Sequence, residues 1–321
     1  MPLDPFLVGK LHLLEGLTVD QGGEPDYVRR WAAFDEDPAE WVMPSAVGTL
    51  ERSIDGPHGA IPLRLYTPGT EPTAALVWVH GGGFAWGDLD MREAHVVAAE
   101  LCARSSAIVV SVDYRLAVGG VRFPVPLDDV QTVWRWFEGE YATVGPLGLG
   151  GASAGATLAL GTAVRERDAG RRLPDLILLA YPFAHFPNPA VDDALHAELA
   201  QLPATMRFSV ADIEGVVKNY IGRLADLPDD AIPGGADLHG LPDTRLVVSE
   251  YDHLRGSAEL LARQLRESGV RAESYLASGM PHGHLNRTPA LAEVDRSLAF
   301  FAEGLSRAAS QHNPRVGRRF P

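Results

Sequence analysis

The sequence has only one cysteine, Cys102, among its 321 residues, and a lone cysteine excludes a disulfide bond within the chain. Such cysteine usage is compatible with a reducing compartment, and we expect a cytoplasmic protein. The N-terminus lacks the basic and apolar regions of a signal peptide, and no apolar run approaches the length of a membrane span. We therefore predict neither secretion nor a membrane anchor.

Basic residues are also in short supply. The chain has 28 lysines and arginines against 42 aspartates and glutamates, which gives a formal net charge of −14. A protein of this charge is repelled by the phosphates of nucleic acids and by anionic membranes. We expect no nucleic-acid partner, and the charge slightly disfavours anionic substrates.

Short apolar runs alternate with helical patterns along most of the chain. This alternation predicts an α/β fold, with a mostly parallel sheet covered by helices on both faces. With 46% apolar residues, the chain can bury the core of one large domain over residues 1–321. We predict eight strands, at residues 49–55, 61–67, 74–79, 107–113, 146–150, 176–181, 245–249 and 270–277. The main helices are predicted at residues 90–104, 128–138, 154–167, 256–268 and 289–308.

A five-residue stretch, Gly151-Ala152-Ser153-Ala154-Gly155, follows the fifth predicted strand and opens a helix. A serine between glycines at a sharp strand-to-helix turn lifts its hydroxyl above the sheet, where a substrate carbonyl can reach it. The N-terminus of the following helix offers free N–H groups and a partial positive charge to an oxyanion. The motif alone is weak evidence, because Gly-x-Ser-x-Gly arises by chance in a chain with 33 glycines.

A second glycine motif, His80-Gly81-Gly82-Gly83, follows the strand predicted at residues 74–79. Three consecutive glycines leave main-chain N–H groups bare, so the loop can place two donors where negative charge develops on a carbonyl oxygen. An isolated triple glycine would indicate a flexible turn. Its position directly after a strand and a histidine favours an oxyanion site.

An acidic residue and a histidine follow the last two predicted strands. Asp252 comes shortly after residues 245–249, and His282 comes shortly after residues 270–277. Open α/β sheets bind ligands beyond the carboxyl ends of their strands. The chain order serine, aspartate, histidine is that of the catalytic groups of hydrolases built on such a sheet.

Together these motifs resemble the hormone-sensitive-lipase group of α/β-hydrolases. The run Val112-Asp113-Tyr114-Arg115-Leu116-Ala117 and the Phe123-Pro124 to Asp128-Asp129 stretch are also similar to this group. The resemblance extends over nearly the whole chain, and five ordered motifs at compatible spacing make it specific. It implies an α/β-hydrolase fold with a helical cap and a carboxylesterase activity that needs no metal or organic cofactor.

The resemblance also implies roles for the matching residues. Ser153 would be the nucleophile, His282 the general base, and Asp252 the carboxylate that orients and supports His282. The oxyanion of the tetrahedral intermediate would be bound by the main-chain N–H groups of Gly82, Gly83 and Ala154.

Three other residues need an assignment. Glu250 is the alternative acid, but Asp252 matches the family position. His284 is the alternative to His282 as the base, and it stands where the family usually has an aromatic residue. His80 in this family supports the glycine loop and does not act as a base.

Three positions depart from the family pattern. Ala152 stands beside the serine where the family usually has an acidic residue, and Gly256 replaces an aspartate that usually follows the triad acid. Val118-Gly119-Gly120 replaces a Pro-Glu-His type of segment. None of these changes removes a triad residue or an oxyanion donor, so we expect them to affect rate and specificity more than reaction class.

Residues 1–46 and 184–243 lie outside the strand–helix alternation. In the resembled family two such segments form a helical cap that excludes water and lines a pocket over the nucleophile. Most aromatic residues in these segments are explained by packing of the cap against the core. Trp86, after the glycine loop, and Phe183, at the junction with the second segment, are the candidates for substrate contact.

The sequence thus predicts a serine carboxylesterase that hydrolyses small neutral esters with short or medium acyl chains through an acyl-enzyme. A non-catalytic ligand receptor on the same fold is an alternative, which the presence of His282 disfavours. Hydrolysis of amides is another, for which the sequence holds no specific feature. The expected partner is a small-molecule ester, and the family often forms homodimers, so a homodimer is expected.

Overall fold

A single sheet of eight strands forms the centre of the molecule, in a computed structural model that describes residues 3–312. The strands are β1 (Val47–Gly56), β2 (Gly59–Pro68), β3 (Ala74–Val79), β4 (Ala107–Val112), β5 (Leu147–Ala152), β6 (Leu176–Ala180), β7 (Thr244–Tyr251) and β8 (Ala272–Pro281). Their order in the sheet is β1-β2-β4-β3-β5-β6-β7-β8, and only the β1–β2 and β2–β4 pairs are antiparallel. The predicted eight-stranded, mostly parallel sheet is confirmed.

Helices connect the strands and cover both faces of the sheet. They are α1 (Pro5–Val8), α2 (Pro25–Asp35), α3 (Arg92–Ser105), α4 (Val125–Glu140), α5 (Ala154–Asp168), α6 (Asp193–Leu199), α7 (Val210–Ile221), α8 (Arg255–Glu267) and α9 (Ala292–His312). On β3, Leu76 and Trp78 pack towards α3 and α9, whereas Val77 and Val79 pack towards α4 and α5. Because both faces are covered, β3 and β4 are buried at every position.

Each predicted strand and main helix is present, with ends that shift by up to four residues. Shifts of four residues occur at the end of the last helix and at the end of the last strand, which we predicted to end at residue 277 and which runs to Pro281. Gly279 has a φ of 71°, and its N–H donates to Oε2 of Glu250 at 2.6 Å. After this irregularity pairing with β7 resumes between Tyr251 and Pro281, so His282 follows the strand directly.

The two segments that lie outside the alternation of strands and helices contain short helices. Within residues 3–46 lie α1, α2 and the 3₁₀ turns Leu11–Leu13 and Val19–Gln21. Residues 184–243 contain α6, α7 and the 3₁₀ turns Ala204–Met206 and Pro233–Gly235. The division into a core and a cap stays a prediction. Across the described residues, no helix has the length and apolarity needed to cross a membrane.

Candidate active site

Ser153 lies at a sharp turn between β5 and α5. Its φ of 51° and ψ of −118° are strained for a residue with a side chain. Its N–H donates to the carbonyl oxygen of Ala180 at 2.9 Å, which anchors the turn to β6. A Cβ on Gly151 would lie 2.6 Å from the main chain of Gly155, and one on Gly155 would lie 2.2 Å from the carbonyl oxygen of Val79. The turn therefore requires both glycines of the motif.

A row of hydrogen bonds joins Ser153 to a histidine and an aspartate. Ser153 Oγ lies 2.9 Å from Nε2 of His282, and Nδ1 of His282 lies 2.7 Å from Oδ2 of Asp252. Asp252 is buried, and its Oδ1 accepts a hydrogen bond from the N–H of Leu254 at 2.8 Å. In this arrangement the imidazole can take the proton of the serine hydroxyl while the carboxylate holds the ring.

The sheet explains why these residues meet. Asp252 directly follows the end of β7, and His282 directly follows the end of β8. β7 and β8 are parallel neighbours, so their carboxyl ends lie at the same edge of the sheet. Ser153 follows β5, which reaches the same edge two strands away from β7.

Glu250, the alternative acid, is engaged elsewhere. Its Oε2 accepts the hydrogen bond from the N–H of Gly279 and so supports the irregular end of β8. Asp252, in contrast, contacts the ring of His282 directly. The geometry favours Asp252 as the acid.

His284, the alternative base, is buried between two serines. Its Nδ1 lies 2.9 Å from Oγ of Ser249, and its Nε2 lies 3.1 Å from Oγ of Ser297. Burial, together with the charge of His282, lowers the pKa of His284 to about 3. Both ring nitrogens have partners away from Ser153, so the geometry favours His282 as the base.

Opposing effects act on the pKa of His282. Burial alone would lower it, whereas the charge of Asp252, its hydrogen bond and the charge of Glu93 raise it. The net result is a pKa above the usual value of 6.5. The surroundings therefore stabilise the imidazolium that forms when the ring accepts a proton.

The glycine loop lies directly beside the serine turn. A Cβ on Gly81 would lie 3.1 Å from Cβ of Ser153. Gly82 and Gly83 have φ of 94° and 58°, and within residues 3–312 their N–H groups donate to no protein acceptor. The N–H of Ala154, the first residue of α5, has no acceptor within its helix. Three donors are thus available in the region of Ser153.

His80 lies buried under the glycine loop. Its ring stacks on Tyr114, with centroids 4.5 Å apart, and its Nδ1 lies 2.9 Å from the carbonyl oxygen of Gly81. The hydroxyl of Tyr114 donates to the same oxygen at 2.9 Å. Burial lowers the pKa of His80 to about 4, so the ring is neutral at physiological pH. These contacts agree with a supporting role.

Sequence reasoning missed Glu93, a buried residue in the first turn of α3. Its Oε2 accepts from the N–H of Gly81 at 2.7 Å, and its Oε1 accepts from the hydroxyl of Tyr181 and from Nδ2 of Asn286, the latter at 3.4 Å. Burial raises the pKa of this carboxyl. One side chain thus connects the glycine loop, the end of β6 and the loop after His282. A glutamate in a first helical turn is common, so nothing in the sequence singled it out.

Ser153 and His282 line a mostly apolar cavity of about 1250 Å³. Trp86, a residue that is 60% exposed, and Phe183 line it as well, and their contact with a substrate stays a prediction. Phe208 packs its ring edge-on against His282, with centroids 5.0 Å apart. In the part of the chain that the structure describes, no group of three His, Cys, Asp or Glu side chains is arranged to hold a metal ion.

The structure shows the surroundings of the three departures from the family pattern. Ala152 is buried at the end of β5. A Cβ on Gly256 would lie 2.5 Å from the carbonyl oxygen of Pro189, so an aspartate does not fit there without movement. Gly119 and Gly120 have φ of 59° and 93°, a turn that favours glycine.

The chain is similar to several proteins of known family. Residues 76–286 match a family model described as alpha/beta hydrolase fold. The chain is 32% identical to esterase LipI of Mycobacterium tuberculosis, over 88% of each protein. It is 27% identical to an ethyl acetate hydrolase of Pseudomonas putida, over 95% of this chain and 99% of that protein. An esterase structure from Pyrobaculum calidifontis has a TM-score of 0.78 and 29% identity, over 96% of this chain and 99% of that one. The chain therefore belongs to the hormone-sensitive-lipase-like family of α/β-hydrolases.

Proposed function

We propose that the protein is a serine carboxylesterase that hydrolyses small neutral esters with short or medium acyl chains through an acyl-enzyme. Its family makes it a carboxylic ester hydrolase. The serine mechanism, the site residues and the substrate range are the proposal. The observation that carries it is the unbroken row of hydrogen bonds from Ser153 Oγ through His282 to Asp252.

In the first step Ser153 Oγ attacks the ester carbonyl carbon while Nε2 of His282 takes the hydroxyl proton. A hydroxyl is a weak nucleophile, so this proton transfer is what makes the attack possible. Asp252 fixes the ring with Nε2 towards the serine and stabilises the positive charge that the ring acquires. The raised pKa of His282 favours this charged state.

The negative charge that develops on the carbonyl oxygen needs donors that are already in place. The N–H groups of Gly82, Gly83 and Ala154 are proposed to supply them. Each donor of this kind contributes about 10²–10³ in rate. The contact between Glu93 and Gly81 supports the proposal, because it holds the loop in position before a substrate arrives.

The intermediate collapses when His282 gives its proton to the oxygen of the departing alcohol, which leaves the acyl group on Ser153. A water molecule then attacks the acyl-enzyme, with His282 again as the base, and the carboxylic acid departs. The chain's own groups supply every proton transfer and every stabilising contact. We therefore propose a reaction without a metal or an organic cofactor.

The apolar cavity supports a neutral substrate. We propose that residues 3–46 and 184–243 act together as a cap over it, and that Trp86 and Phe183 contact the bound ester. The Pseudomonas putida relative is named for ethyl acetate, and small esters of that kind are the proposed substrate class. The net charge of −14 is also unfavourable for anionic esters.

The proposal also includes the location of the protein and its oligomeric state. A single cysteine is compatible with a cytoplasmic location.

A homodimer is proposed because members of the resembled family often form homodimers. Size-exclusion chromatography with light scattering measures the assembly directly, and a monomer at micromolar concentration would contradict it.

Covalent labelling tests the mechanism. A fluorophosphonate should add its mass to the peptide that contains Ser153, because only an activated serine reacts quickly with this reagent. The His282→Ala variant, checked for an unchanged circular dichroism spectrum, should react far more slowly. A wild-type protein that is neither labelled nor active on p-nitrophenyl butyrate, but binds small molecules, would be a receptor and not an esterase.

A further inference from the structure

One wall of the cavity carries a row of aromatic rings that the proposed reaction does not use. Tyr27, Trp31 and Phe34 are spaced by four and three residues along α2, so they share one face of the helix. The rings of Tyr27 and Trp31 are parallel, with centroids 5.9 Å apart, and those of Trp31 and Phe34 are 5.7 Å apart. All three residues line the cavity that contains Ser153 and His282.

This aromatic row is attached to the loop that follows His282. Arg287 donates to the carbonyl oxygen of Phe34 at 2.8 Å, and its guanidinium lies 4.6 Å from the centre of the Phe34 ring. The N–H of Thr288 donates to Oδ2 of Asp37, just beyond α2, at 2.9 Å. The row therefore begins beside the histidine loop and extends from Phe34 to Tyr27 along the cavity.

The position of the row decides which half of an ester meets it. The histidine of a serine esterase returns its proton to the oxygen of the departing alcohol, so the alcohol group must lie on the side of His282. Helix α7 lies over the glycine loop, where Val216 is 3.8 Å from the place of a Cβ on Gly83. The loop after His282 is attached to α2 through Arg287 and Phe34, and this attachment is the reason for assigning the alcohol group to the side of α2.

The charges of this wall are balanced. Nη2 of Arg287 lies 3.4 Å from Asp35, and its Nη1 lies 3.5 Å from Asp37. Arg92 also lies 3.4 Å from Asp37, so two guanidinium groups face two carboxylates and leave no excess charge for an anionic ligand. The wall suits a neutral group, and its flat rings suit an aromatic one, because aromatic pairs gain stabilisation beyond their buried area.

The size of the cavity points in the same direction. Ligand pockets usually measure roughly 300–1,000 Å³. The cavity of about 1250 Å³ exceeds that range, so a short acyl chain alone leaves much of it empty. A ring system on the alcohol side would fill this space.

Building on the proposed esterase function, we propose that Tyr27, Trp31 and Phe34 form the binding wall for the alcohol group. The preferred substrates are then neutral esters that join a short or medium acyl chain to an aromatic alcohol. The wall acts on binding and orientation, and it leaves the chemistry at Ser153 unchanged.

Matched esters of one acid test the proposal. Benzyl butyrate and cyclohexylmethyl butyrate share the acyl chain and have primary alcohols of similar size, and they differ in the aromatic ring. The wild-type protein should show a higher kcat/KM for the benzyl ester, several-fold and up to about tenfold. 2-Naphthylmethyl butyrate should be preferred further. Equal kcat/KM for the benzyl and cyclohexylmethyl esters would overturn the proposal.

Variants of α2 provide the second arm of the test. Trp31→Leu and Tyr27→Leu should each reduce kcat/KM for benzyl butyrate several-fold more than kcat/KM for ethyl butyrate. Val28→Ala is the matched control, because Val28 is on the same helix and is exposed. An equal loss of kcat/KM on benzyl butyrate and ethyl butyrate in both variants would mean a structural role for the two residues and would overturn the proposed aromatic wall.

The outcomes separate this proposal from the proposed function. Turnover of all esters without an aromatic preference would contradict the proposed aromatic wall and would still agree with the proposed esterase function. Failure to turn over any ester, together with no fluorophosphonate label on Ser153, would contradict the proposed esterase function and therefore also the proposed wall.

Discussion

Ser153 Oγ lies 2.9 Å from Nε2 of His282, although 129 positions separate the two residues in the chain. The contact depends on the sheet, because each residue directly follows the carboxyl end of a parallel strand, Ser153 after β5 and His282 after β8. The strained turn at Ser153 raises the hydroxyl, and the extended end of β8 brings the imidazole to it. The site is therefore a property of the folded core.

Replacement of Asp252 should be far more damaging than replacement of its neighbour Glu250. Asp252→Asn leaves the shape of the side chain but removes the charge and the acceptor that hold His282, so kcat/KM should fall by about 10⁴-fold. Glu250→Gln keeps an oxygen that can accept from Gly279, so we expect little change in turnover. Steady-state kinetics on p-nitrophenyl butyrate measure both variants, and the reverse ranking would refute the choice of acid.

The pH dependence of turnover should report on His282. The ring must be neutral to accept the serine proton, so kcat/KM should fall as the pH drops through the pKa of His282. Since that pKa is raised above 6.5, the decline should begin above the pH of an ordinary histidine.

Glu93→Gln should move the acid limb of the pH profile, which is the decline of kcat/KM at low pH. The charge of Glu93 helps to raise the pKa of His282, so its removal should shift the limb towards lower pH. It should also lower kcat, because Gly81 loses a charged hydrogen-bond acceptor. Glu100→Gln is the control, since Glu100 lies on the same helix but bonds to Trp41 and Arg104. An acid limb that stays in place in Glu93→Gln would show that its charge does not reach His282.

His284 should matter for stability and not for turnover. The folded protein keeps this ring neutral down to about pH 3, whereas the unfolded chain protonates it near 6.5. The unfolded state then binds more protons between these values, so His284 lowers the free energy of unfolding as the pH falls through this window. His284→Asn should lose less stability on acidification than the wild type in urea titrations. A folded His284→Asn protein without esterase turnover would instead identify His284 as the base.

Two glycines with nearly the same φ offer a matched test of the glycine loop. Gly82 has a φ of 94° and Gly120 a φ of 93°, so alanine is equally strained at both. A Cβ on Gly82 would lie 1.9 Å from the carbonyl oxygen of Trp86, whereas a Cβ on Gly120 would meet nothing within 4 Å. Gly82→Ala should displace the loop and reduce kcat by about 10²-fold or more. Gly120→Ala should cost about 1 kcal/mol of stability and leave kcat unchanged. Equal kcat values in the two variants would exclude Gly82 from the oxyanion site.

The residues that follow strand ends could be placed from the sequence. Ser153, Asp252 and His282 each follow an apolar run, and parallel strands bring such positions to one edge whatever the detail of their packing. The prediction of their meeting needed only strand order and the family motifs. Their catalytic roles remain predictions that the variants above test.

The remaining features of the site depend on packing between distant segments. Glu93 and Phe208 reach the site from α3 and from the segment before α7, and no local pattern distinguishes a glutamate or a phenylalanine that does so. The end of β8 was placed four residues too early, because its extension rests on Gly279 and on the side chain of Glu250 from another strand. The periodicity of apolar residues indicates which face of its own helix or strand a residue lies on. It does not indicate contacts between distant segments.

The central claim is that Ser153 is the nucleophile of an ester hydrolase. The most direct measurement is turnover of p-nitrophenyl butyrate by the wild type and by Ser153→Ala, with both proteins checked for the same thermal unfolding. We predict clear hydrolysis by the wild type and a loss of about 10⁴-fold or more in kcat for the variant. A folded Ser153→Ala protein that hydrolyses the ester as fast as the wild type would contradict the account.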